Sequence, residues 1–415
     1  MNKPEILAPA GSLAKLKYAI MYGADAVYIG GEAFSLRVAA KNFTLDEIKE
    51  GIEFAHERGK KVYITANIIP HNSDLDYFPQ FVKEVDALGA DAIIVSDLGT
   101  FSIVREVAPN LDIHVSTQAN NTNYASANMW YKLGAKRVIL ARDLSFEEIE
   151  EIREKTPADM EIECFVHGAM CVSYSGRCLL SNYLTMRDSN RGACSHPCRW
   201  KYYLMEEKRP GEYMPVFENE RGTFIFNSKD LCMIEHIPQL IKAGVTSFKI
   251  EGRVKNELYV ATVVKAYRDA IDAYFAEGDD YKVSEDILTE LTKVSHREYT
   301  NGFYFGKPTE KHQLYTSNTY IQEYTIAAVV KSYDETTGEA ILEQRNKFEK
   351  GDVLEVLNPD GDNFSFTAGE MFDEWGNLIE SAPHAQMTVK LKLPQKVADF
   401  AILRTLNKNY KPEEA

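Results

Sequence analysis

Short apolar runs alternate with amphipathic stretches along roughly the first 250 residues of the chain. Runs such as residues 26–30 and 91–96 are almost entirely apolar, which is typical of strands buried on both faces of a parallel sheet. The stretches between them carry apolar residues at helical spacing, and Ser12 can cap the first of them. Thr44 and Glu47 form a capping-box pattern at the next one. The pattern therefore predicts a repeated strand–helix unit.

The number of these units indicates the architecture. The first seven strand candidates are residues 5–8, 26–30, 62–67, 91–96, 113–117, 137–141 and 161–166. A further unit follows an insertion, with a strand at 223–227, a helix at 231–243 and a strand at 247–250. Eight or so units over roughly 250 residues predict a (β/α)8, TIM-like barrel. A doubly wound open sheet is the alternative, although no Gly-x-Gly-x-x-Gly follows the first strand.

The pattern changes after residue 251. Two amphipathic helices are predicted, at residues 258–275 and 284–294, and from about residue 324 the apolar positions alternate with period two. Turn signals at 337–338 and 360–361 separate short strands, which predicts a small all-β barrel. The expected organisation is a barrel domain over residues 1–320, with a cysteine-rich insertion at about 164–226 and a helical extension, followed by the small β domain over 321–415.

The overall charge and the lengths of the apolar runs exclude some classes of protein. Lysine plus arginine total 47 and aspartate plus glutamate total 62, which gives a net charge of −15 in 415 residues. This balance excludes a polybasic nucleic-acid binder, although it is compatible with a local basic groove. The N-terminal segment lacks the apolar region of a signal peptide, and no apolar run is long enough to span a bilayer. A cytoplasmic protein with no membrane partner is expected.

Six cysteines lie in one window of the chain, at positions 164, 171, 178, 194, 198 and 232. From Cys171 the spacing is C-x6-C-x15-C-x3-C, and it begins where a predicted barrel strand ends. Four thiolates can ligate zinc or an iron–sulfur cluster, and the loose first pair favours the cluster. Buried free thiols are the alternative. Cys164 is predicted to lie in the core, and Cys232 is either a buried helix thiol or an alternative fourth ligand.

Polar residues follow several predicted strands, at the end of a barrel where active sites lie. His167 is expected to face the barrel mouth, either as a proton-transfer or substrate-binding group or as a loop histidine that bonds a carbonyl. Lys249 and Glu251 share one face of a strand and Arg253 follows, which suits an anionic small molecule or a structural Glu–Arg pair. We expect catalytic roles for His167, Glu251 and Asp230, and anion binding by Arg142, Lys249 and Arg253.

The cysteine-rich segment also carries local positive charge. Four arginines lie around the cysteines: Arg177, Arg187, Arg191 and Arg199. In so acidic a chain, this segment is the expected binding site for nucleic acid. Neither Gly-x-Ser-x-Gly nor His-Glu-x-x-His occurs in the chain, so a serine or zinc hydrolase has no direct support. A cysteine nucleophile paired with His167 remains an alternative, but four clustered thiols favour ligation over attack.

Several motifs together resemble the signature of the collagenase-like peptidase family U32. One is Glu-Cys-Phe-Val-His-Gly-Ala-Met-Cys at residues 163–171, and another is Tyr-Ser-Gly-Arg-Cys-Leu-Leu-Ser at 174–181. The others are Leu-Ala-Pro-Ala-Gly at 7–11, Asn-Ser-Lys-Asp-Leu at 227–231, Lys-Ile-Glu-Gly-Arg at 249–253 and Tyr-Thr-Asn-Gly-Phe at 299–303. The resemblance spans most of residues 5–305, and the small β domain is similar to the family's C-terminal, translation-factor-like domain.

The resemblance implies more than the family name. Its better understood members are oxygen-independent hydroxylation proteins that act on tRNA, ribosomal RNA or the ubiquinone ring. The chain length and the Gly-Ala-Cys-Ser-His-Pro-Cys-Arg-Trp segment at 192–200 are most similar to the tRNA branch. That branch implies formation of 5-hydroxyuridine at the wobble position, with prephenate as a small carboxylate co-substrate.

The same resemblance implies a cofactor and its ligands. It assigns an iron–sulfur cluster, expected as 4Fe-4S, to Cys171, Cys178, Cys194 and Cys198, with Cys198 the least certain of the four. The resemblance implies tRNA as the macromolecular partner, and it is also compatible with a paralogous protein partner. Two other functions remain open on sequence grounds: a collagenase-like peptidase, and a non-catalytic RNA-binding scaffold with a structural zinc.

Overall fold

The computed structural model describes residues 2–31, 34–35, 42–171, 173–202, 204–205, 213–214, 223–224, 228–307 and 320–410. Eight parallel strands close into a barrel. They are β1 (Glu5–Pro9), β2 (Ala26–Gly30), β3 (Lys61–Ala66), β4 (Ala92–Val95), β5 (Asp112–Val115), β6 (Arg137–Ile139), β7 (Glu161–Ala169) and β8 (Ser247–Ile250). Closure is made by β8, which pairs in parallel with β7 on one side and with β1 on the other. The predicted TIM-like barrel is confirmed.

Each barrel strand is followed by a helix that covers the outside of the barrel. The helices are α1 (Leu13–Met21), α2 (Leu45–His56), α3 (Phe78–Ala87), α4 (Leu98–Val107), α5 (Tyr124–Leu133), α6 (Phe146–Glu154), α7 (Ile237–Lys242) and α8 (Glu257–Glu277). Shorter helices lie at Asn72–Leu75, Leu180–Thr185 and Glu285–Thr292. The predicted caps are present, since Ser12 accepts from the backbone of Lys15 and Thr44 forms a capping box with Glu47. None of these helices is long and apolar enough to cross a membrane.

The segment between β7 and β8 differs from the prediction. Thr223–Phe224 pairs with Lys201–Tyr202 outside the barrel, and residues 225–227 of the predicted strand lie outside the described part of the chain. The predicted helix at 231–243 begins instead as the strand Asp230–Cys232, which pairs antiparallel with the end of β7, and becomes helical at α7. The reason is that β7 extends past the barrel rim, where its backbone groups need a partner. Because β8 already pairs with β1, no edge remains for a ninth barrel strand.

The C-terminal domain is an antiparallel sheet that curls around its own core. Its eight strands, in spatial order, are Phe364–Thr367, Val353–Leu357, Ile402–Leu406, Tyr324–Asp334, Glu339–Gln344, Thr388–Lys392, Met371–Phe372 and Leu378–Ile379. A further pair, Phe348–Glu349 with Ser381–Ala382, covers one side. Alternation along these strands places residues such as Leu342 and Val389 in the apolar core.

The two domains are packed against each other through both apolar and charged contacts. The Tyr22 hydroxyl of the barrel domain donates to the carbonyl oxygen of Leu357 at 2.8 Å. Arg404 of the C-terminal sheet is buried and pairs with Glu290 at 2.7 Å and with Glu355 at 2.5 Å. Removing one partner of a buried ion pair is strongly destabilising, so these contacts hold the junction together.

Candidate active site

A cavity opens at the end of the barrel where the strands terminate. It measures about 520 Å³, counting its open mouth. Four barrel strands line it (β2, β3, β7 and β8), together with segments that follow β3, β5, β6 and β8 and with the cysteine-rich loop. The lining residues are Tyr28, Thr65, Asn67, Ser116, Thr117, Gln118, Arg142, Phe165, Ser175, Lys249, Glu251 and Arg253. Enzymes with this architecture carry their active sites at this end of the barrel. The cavity is therefore the candidate active site.

Lys249 extends from β8 to the cavity floor. Its Nζ donates to Oε1 of Glu163 at 2.6 Å and lies 4.5 Å from the centre of the Tyr28 ring. Burial lowers the pKa of Lys249, and the carboxylate of Glu163 opposes part of that shift. Glu163 is fully buried and its position is therefore fixed. Its hydrogen bond to Lys249 holds the ammonium group at one position on the cavity floor.

Two arginines stand on the cavity wall. Arg253 donates through Nη1 to the hydroxyl oxygens of Ser35 and Thr65, at 2.7 and 2.9 Å. The guanidinium of Arg142 lies 4.0 Å from the centre of the Phe165 ring, and its Nη1 donates to a backbone carbonyl at 2.7 Å. Together with the lysine these side chains give the cavity a cationic lining. The structure thus brings all three residues of the predicted anion-binding set to one cavity.

A charged layer fills the barrel interior beneath the cavity. Arg137 is buried and pairs with Glu5 at 2.6 Å, with Glu161 at 2.6 Å and with Glu163 at 3.0 Å. Burial alone would raise the pKa of Glu5, but Arg137 and hydrogen bonds from neighbouring hydroxyls hold it below its usual value. Glu163 therefore links this layer to Lys249 above it. The sequence analysis did not predict this charged layer. The signal for it in the sequence was the presence of charged residues within otherwise apolar strands.

Glu251 follows β8 and lines the cavity wall. Its backbone N–H donates to the carbonyl of His167 at 2.9 Å, and its own carbonyl accepts from the Tyr259 hydroxyl at 2.9 Å. Gly168 packs directly against it: the φ angle is +105°, and a Cβ there would lie 2.6 Å from the carbonyl oxygen of Glu251. Only glycine fits such a position. The backbone that carries this predicted catalytic carboxylate is therefore fixed from both sides.

His167 does not face the barrel mouth, and that expectation was wrong. Phe165 lines the cavity, but the register of β7 against β8 shifts just beyond it. The shift reverses the alternation, so His167 packs on the far side among the rings of Tyr259, Tyr267 and Tyr299. Its centroid separations from these rings are 6.1, 5.6 and 5.3 Å. A one-residue irregularity of this kind turns a side chain to the opposite face of a strand.

The surroundings of His167 define its protonation state. Burial lowers its pKa to about 3, with smaller contributions from His296 and Lys255, so the imidazole is neutral at neutral pH. Neither ring nitrogen has a hydrogen-bond partner among the residues that the structure describes. A general base, or a thiol–imidazole pair, needs hydrogen-bond reach to the group it activates. The geometry therefore gives no support to the cysteine–histidine pair that a peptidase would use.

Asp230 lies on the strand beside β7 and is not part of the cavity lining. Its carboxylate is buried and pairs with the Arg297 guanidinium at 3.4 Å, and it also accepts the backbone N–H of Arg297 at 3.1 Å. Of the three predicted catalytic residues, Glu251 alone reaches the cavity. The sequence indicated that all three residues lie at strand ends. It could not show which of the three strand ends turn toward the cavity and which turn away from it.

The cysteine-rich segment at residues 170–200 folds into a loop over the cavity. Its Ser175 contributes to the cavity lining. Gly176, with a φ of +72°, packs so closely on the barrel that a Cβ would lie 2.6 Å from the carbonyl oxygen of Gln118. Further along, the carbonyl of Asn190 accepts the backbone N–H of Ile69 at 3.0 Å. The loop is thus anchored to the barrel mouth at two separate points.

Four thiols of this loop lie near one another. Cys171 is exposed, whereas Cys178, Cys194 and Cys198 are half-buried. Burial raises the pKa of Cys198 to about 11; Arg199 opposes this shift, and the other three thiols add to it. The other three predicted ligands therefore lie close to Cys198. A metal that binds such thiols displaces their protons, so a raised thiol pKa makes binding dependent on pH.

The arrangement of these thiols bears on which metal centre they could hold. Within the described part of the chain, no three His, Cys, Asp or Glu side chains are arranged as ligands of a single metal ion. Four soft thiols on a glycine-containing loop are a donor set that both zinc and iron–sulfur clusters use, and the loose C-x6-C spacing of the first pair favours the cluster.

The remaining two cysteines lie apart from this set. Cys164 is buried in the barrel core as predicted, and burial raises its pKa. Burial also raises the pKa of Cys232, to about 12, and the side chains that influence it are Tyr267 and Glu235. Because none of the described thiols is among those neighbours, Cys198 rather than Cys232 lies with the other three candidate ligands.

Comparison with known proteins identifies relatives over nearly the whole chain. The profile of Peptidase family U32 matches residues 11–314, and that of the Peptidase family U32 C-terminal domain matches residues 322–404. The tRNA hydroxylation protein P1 of Bacillus subtilis is 43% identical over 403 residues, covering 97% of this chain and 95% of that protein. The tRNA hydroxylation protein P of Escherichia coli is 42% identical, with 97% of each chain covered. A 23S rRNA 5-hydroxycytidine synthase of E. coli is 36% identical, covering 73% of this chain and 45% of that protein.

Proposed function

The chain belongs to peptidase family U32, and from this membership we propose that it is a tRNA modification enzyme that hydroxylates uridine. One observation carries the proposal: a chain similar over 97% of its length to tRNA hydroxylation proteins places a four-thiol loop over a cationic cavity at its barrel mouth. The finer proposal is oxygen-independent conversion of wobble uridine to 5-hydroxyuridine. Peptide hydrolysis is not proposed, because neither ring nitrogen of His167 has a hydrogen-bond partner, thiol or other, among the described residues.

The cofactor proposed for the loop is an iron–sulfur cluster, expected as 4Fe-4S. Cys171, Cys178, Cys194 and Cys198 would hold it, and it would supply one-electron redox chemistry. The closeness of Cys171, Cys178 and Cys194 to Cys198 and the loose C-x6-C spacing of the first pair in sequence support the assignment. Arg199 lies close enough to lower the pKa of Cys198 and so favours the thiolate that a metal requires.

The cavity beneath the loop is the proposed site of the small carboxylate co-substrate, for which prephenate is the candidate. Arg142, Lys249 and Arg253 would bind its carboxylates, since charge-assisted hydrogen bonds from fixed cations recognise such groups well. Lys249 would take part while it remains paired with Glu163. Glu251 lines the same cavity, and the role proposed for its side chain is to hold or move a proton.

The function is tested by mass spectrometry of nucleosides from tRNA. A strain that lacks this chain would be complemented with the wild type, with Cys178→Ser or with Cys232→Ser, the matched control outside the ligand set. We expect 5-hydroxyuridine with the wild type and with Cys232→Ser, but not with Cys178→Ser. Hydroxyuridine formed at the normal level by Cys178→Ser, or not restored by the wild type, would contradict the proposal.

The co-substrate site is tested by titration calorimetry with prephenate. Arg253→Gln should bind at least about ten-fold more weakly, since it loses a charge-assisted hydrogen bond. Arg58→Gln, which removes an arginine after α2 and outside the cavity, should bind as the wild type does. Equal affinity for all three proteins would place the carboxylate elsewhere.

A further inference from the structure

The short helix Leu180–Thr185 in the cysteine-rich loop turns its polar side inward. Ser181 is fully buried, and its hydroxyl lies 3.0 Å from that of Ser195, which in turn lies 2.9 Å from the Thr185 hydroxyl. On the outside, Tyr183 is 80% exposed and Met186, just beyond the helix, is 91% exposed. A surface helix of a globular protein normally has the opposite arrangement. Hydrogen bonds thus hold an apolar surface toward solvent.

This surface extends beyond the helix. Besides Trp200 at its end, five large apolar side chains of the loop are exposed, and these five are called the loop platform: Tyr174, Leu179, Tyr183, Leu184 and Met186. Several large apolar side chains exposed within a short segment of the chain are unusual for a surface loop, and patches of exposed apolar groups often mark binding sites. The platform adjoins the candidate active site, because Ser175, next to Tyr174, lines the cavity.

The charge of the same loop indicates the kind of partner. Residues 170–200 contain four arginines and one acidic residue, a local charge of +3 in a chain of −15. Arg177 and Arg187 are exposed, and neither forms an ion pair with any residue in the described part of the chain. Arg191, by contrast, is paired with Asp74. Two cations are therefore available beside the exposed aromatic rings, and this combination suits a polyanion that also has flat apolar groups.

We propose that the loop platform stacks the unpaired bases of an RNA loop, while Arg177 and Arg187 contact its phosphates. Aromatic faces accept any base, and exposed arginines track the backbone. A duplex would not fit, because an A-form helix keeps its bases stacked inside. The inference rests on the proposed function and adds how the substrate is held: the platform presents a splayed base to the adjoining cavity.

The aromatic part of the proposal is tested by fluorescence anisotropy of the full chain. The probes are an RNA hairpin with an unpaired loop and the same loop sequence closed into a full duplex. Tyr183→Ala should weaken hairpin binding about ten-fold, and Tyr183→Phe should restore it, since stacking needs the ring and not the hydroxyl. Trp375→Ala is the matched control, because it removes a 77% exposed aromatic residue of the C-terminal domain and should leave binding unchanged.

The arginines are tested by the dependence of the same affinity on salt. Each phosphate contact that is lost should reduce the slope of log affinity against log salt concentration by about 0.7 for single-stranded RNA. Arg187→Ala should show this reduction. Arg58→Ala, which changes the net charge equally but lies outside the loop, should keep the wild-type slope.

The outcomes separate this inference from the proposed function. Unchanged hairpin binding by Tyr183→Ala and Arg187→Ala, in cells that still form hydroxyuridine, would overturn the platform and leave the function standing. Equal affinity of the wild type for hairpin and duplex would also overturn it. If Tyr183→Ala instead abolished binding of a protein partner and left RNA binding intact, the surface would be a protein interface, which likewise contradicts the proposal.

Discussion

Replacing His167 with phenylalanine separates a packing role from a catalytic one. The imidazole lies among three tyrosine rings, and its nitrogens have no hydrogen-bond partner among the described residues. Phenylalanine keeps an aromatic ring in that space and removes two unsatisfied polar atoms, each of which costs about 1–3 kcal/mol when buried. The variant should therefore be at least as stable as the wild type at neutral pH.

The larger effect is expected in acid. The pKa of His167 is about 3 in the folded chain, whereas an unfolded histidine titrates near 6.5. The unfolded chain thus binds the extra proton first, and stability falls as the pH drops below about 6.5 and continues to fall toward the folded pKa. Between these limits the loss amounts to about 2 kcal/mol at about pH 5. The phenylalanine variant has no such group and should not show this part of the loss.

Urea unfolding at about pH 8 and about pH 5 measures the difference, since acid effects of all other groups are common to both proteins. His384→Gln is the control, because it removes an exposed histidine of the C-terminal domain that lies outside this tyrosine cluster. The variant should also still form hydroxyuridine in cells. An acid loss equal to that of the wild type would refute the buried neutral imidazole, and a stable variant without hydroxyuridine would return a catalytic role to His167.

Three further predictions concern stability and can be checked on purified protein. Glu163→Gln should lower the free energy of unfolding by about 3–5 kcal/mol, because Lys249 then lies buried without its carboxylate. Since the pKa of that lysine falls further in the variant, the deficit measured by urea unfolding should shrink as the pH rises, and a deficit that grows would contradict the pairing. Gly168→Ala should lower the free energy of unfolding by about 2 kcal/mol or more, because alanine is strained at this positive φ. Its Cβ would also displace Glu251, so prephenate binding should weaken. An unchanged prephenate affinity in titration calorimetry would contradict this prediction. Arg404→Met should remove the buried cation at the domain junction, leave Glu290 and Glu355 paired with Lys293 alone, and destabilise the chain by up to about 3 kcal/mol. Limited proteolysis should then cut between the domains faster, and an unchanged rate would contradict that role.

The barrel was predictable because its strands are locally encoded. Each is an apolar run followed by an amphipathic helix, and capping residues such as Thr44 and Ser12 mark where the helices begin. The error fell on residues 223–243, where pairing rather than local pattern decides the structure. Asp230–Cys232 is a strand because the overhanging end of β7 needs a partner. Such a need exists only once the barrel is closed, so the local sequence does not display it.

Part of the candidate active site could be predicted from the sequence, and part of it could not. Residues that directly follow barrel strands, such as Arg142 and Arg253, reach the cavity because strand ends converge there. His167 was misplaced because a register shift between two strands leaves no trace in the alternation of one strand. The partner of Lys249 was also missed, since Glu163 is distant in sequence and meets it only inside the closed barrel.

The measurement that tests the central claim most directly is the iron, sulfide and zinc content of the full chain purified without oxygen. Wild type, Cys198→Ser and Cys232→Ser would be compared, together with their visible spectra. The account predicts iron and sulfide in equal amounts, about four of each per chain for a 4Fe-4S centre, in the wild type and in Cys232→Ser. Cys198→Ser should lose most of both. Stoichiometric zinc, or no metal in any of the three proteins, would contradict the account.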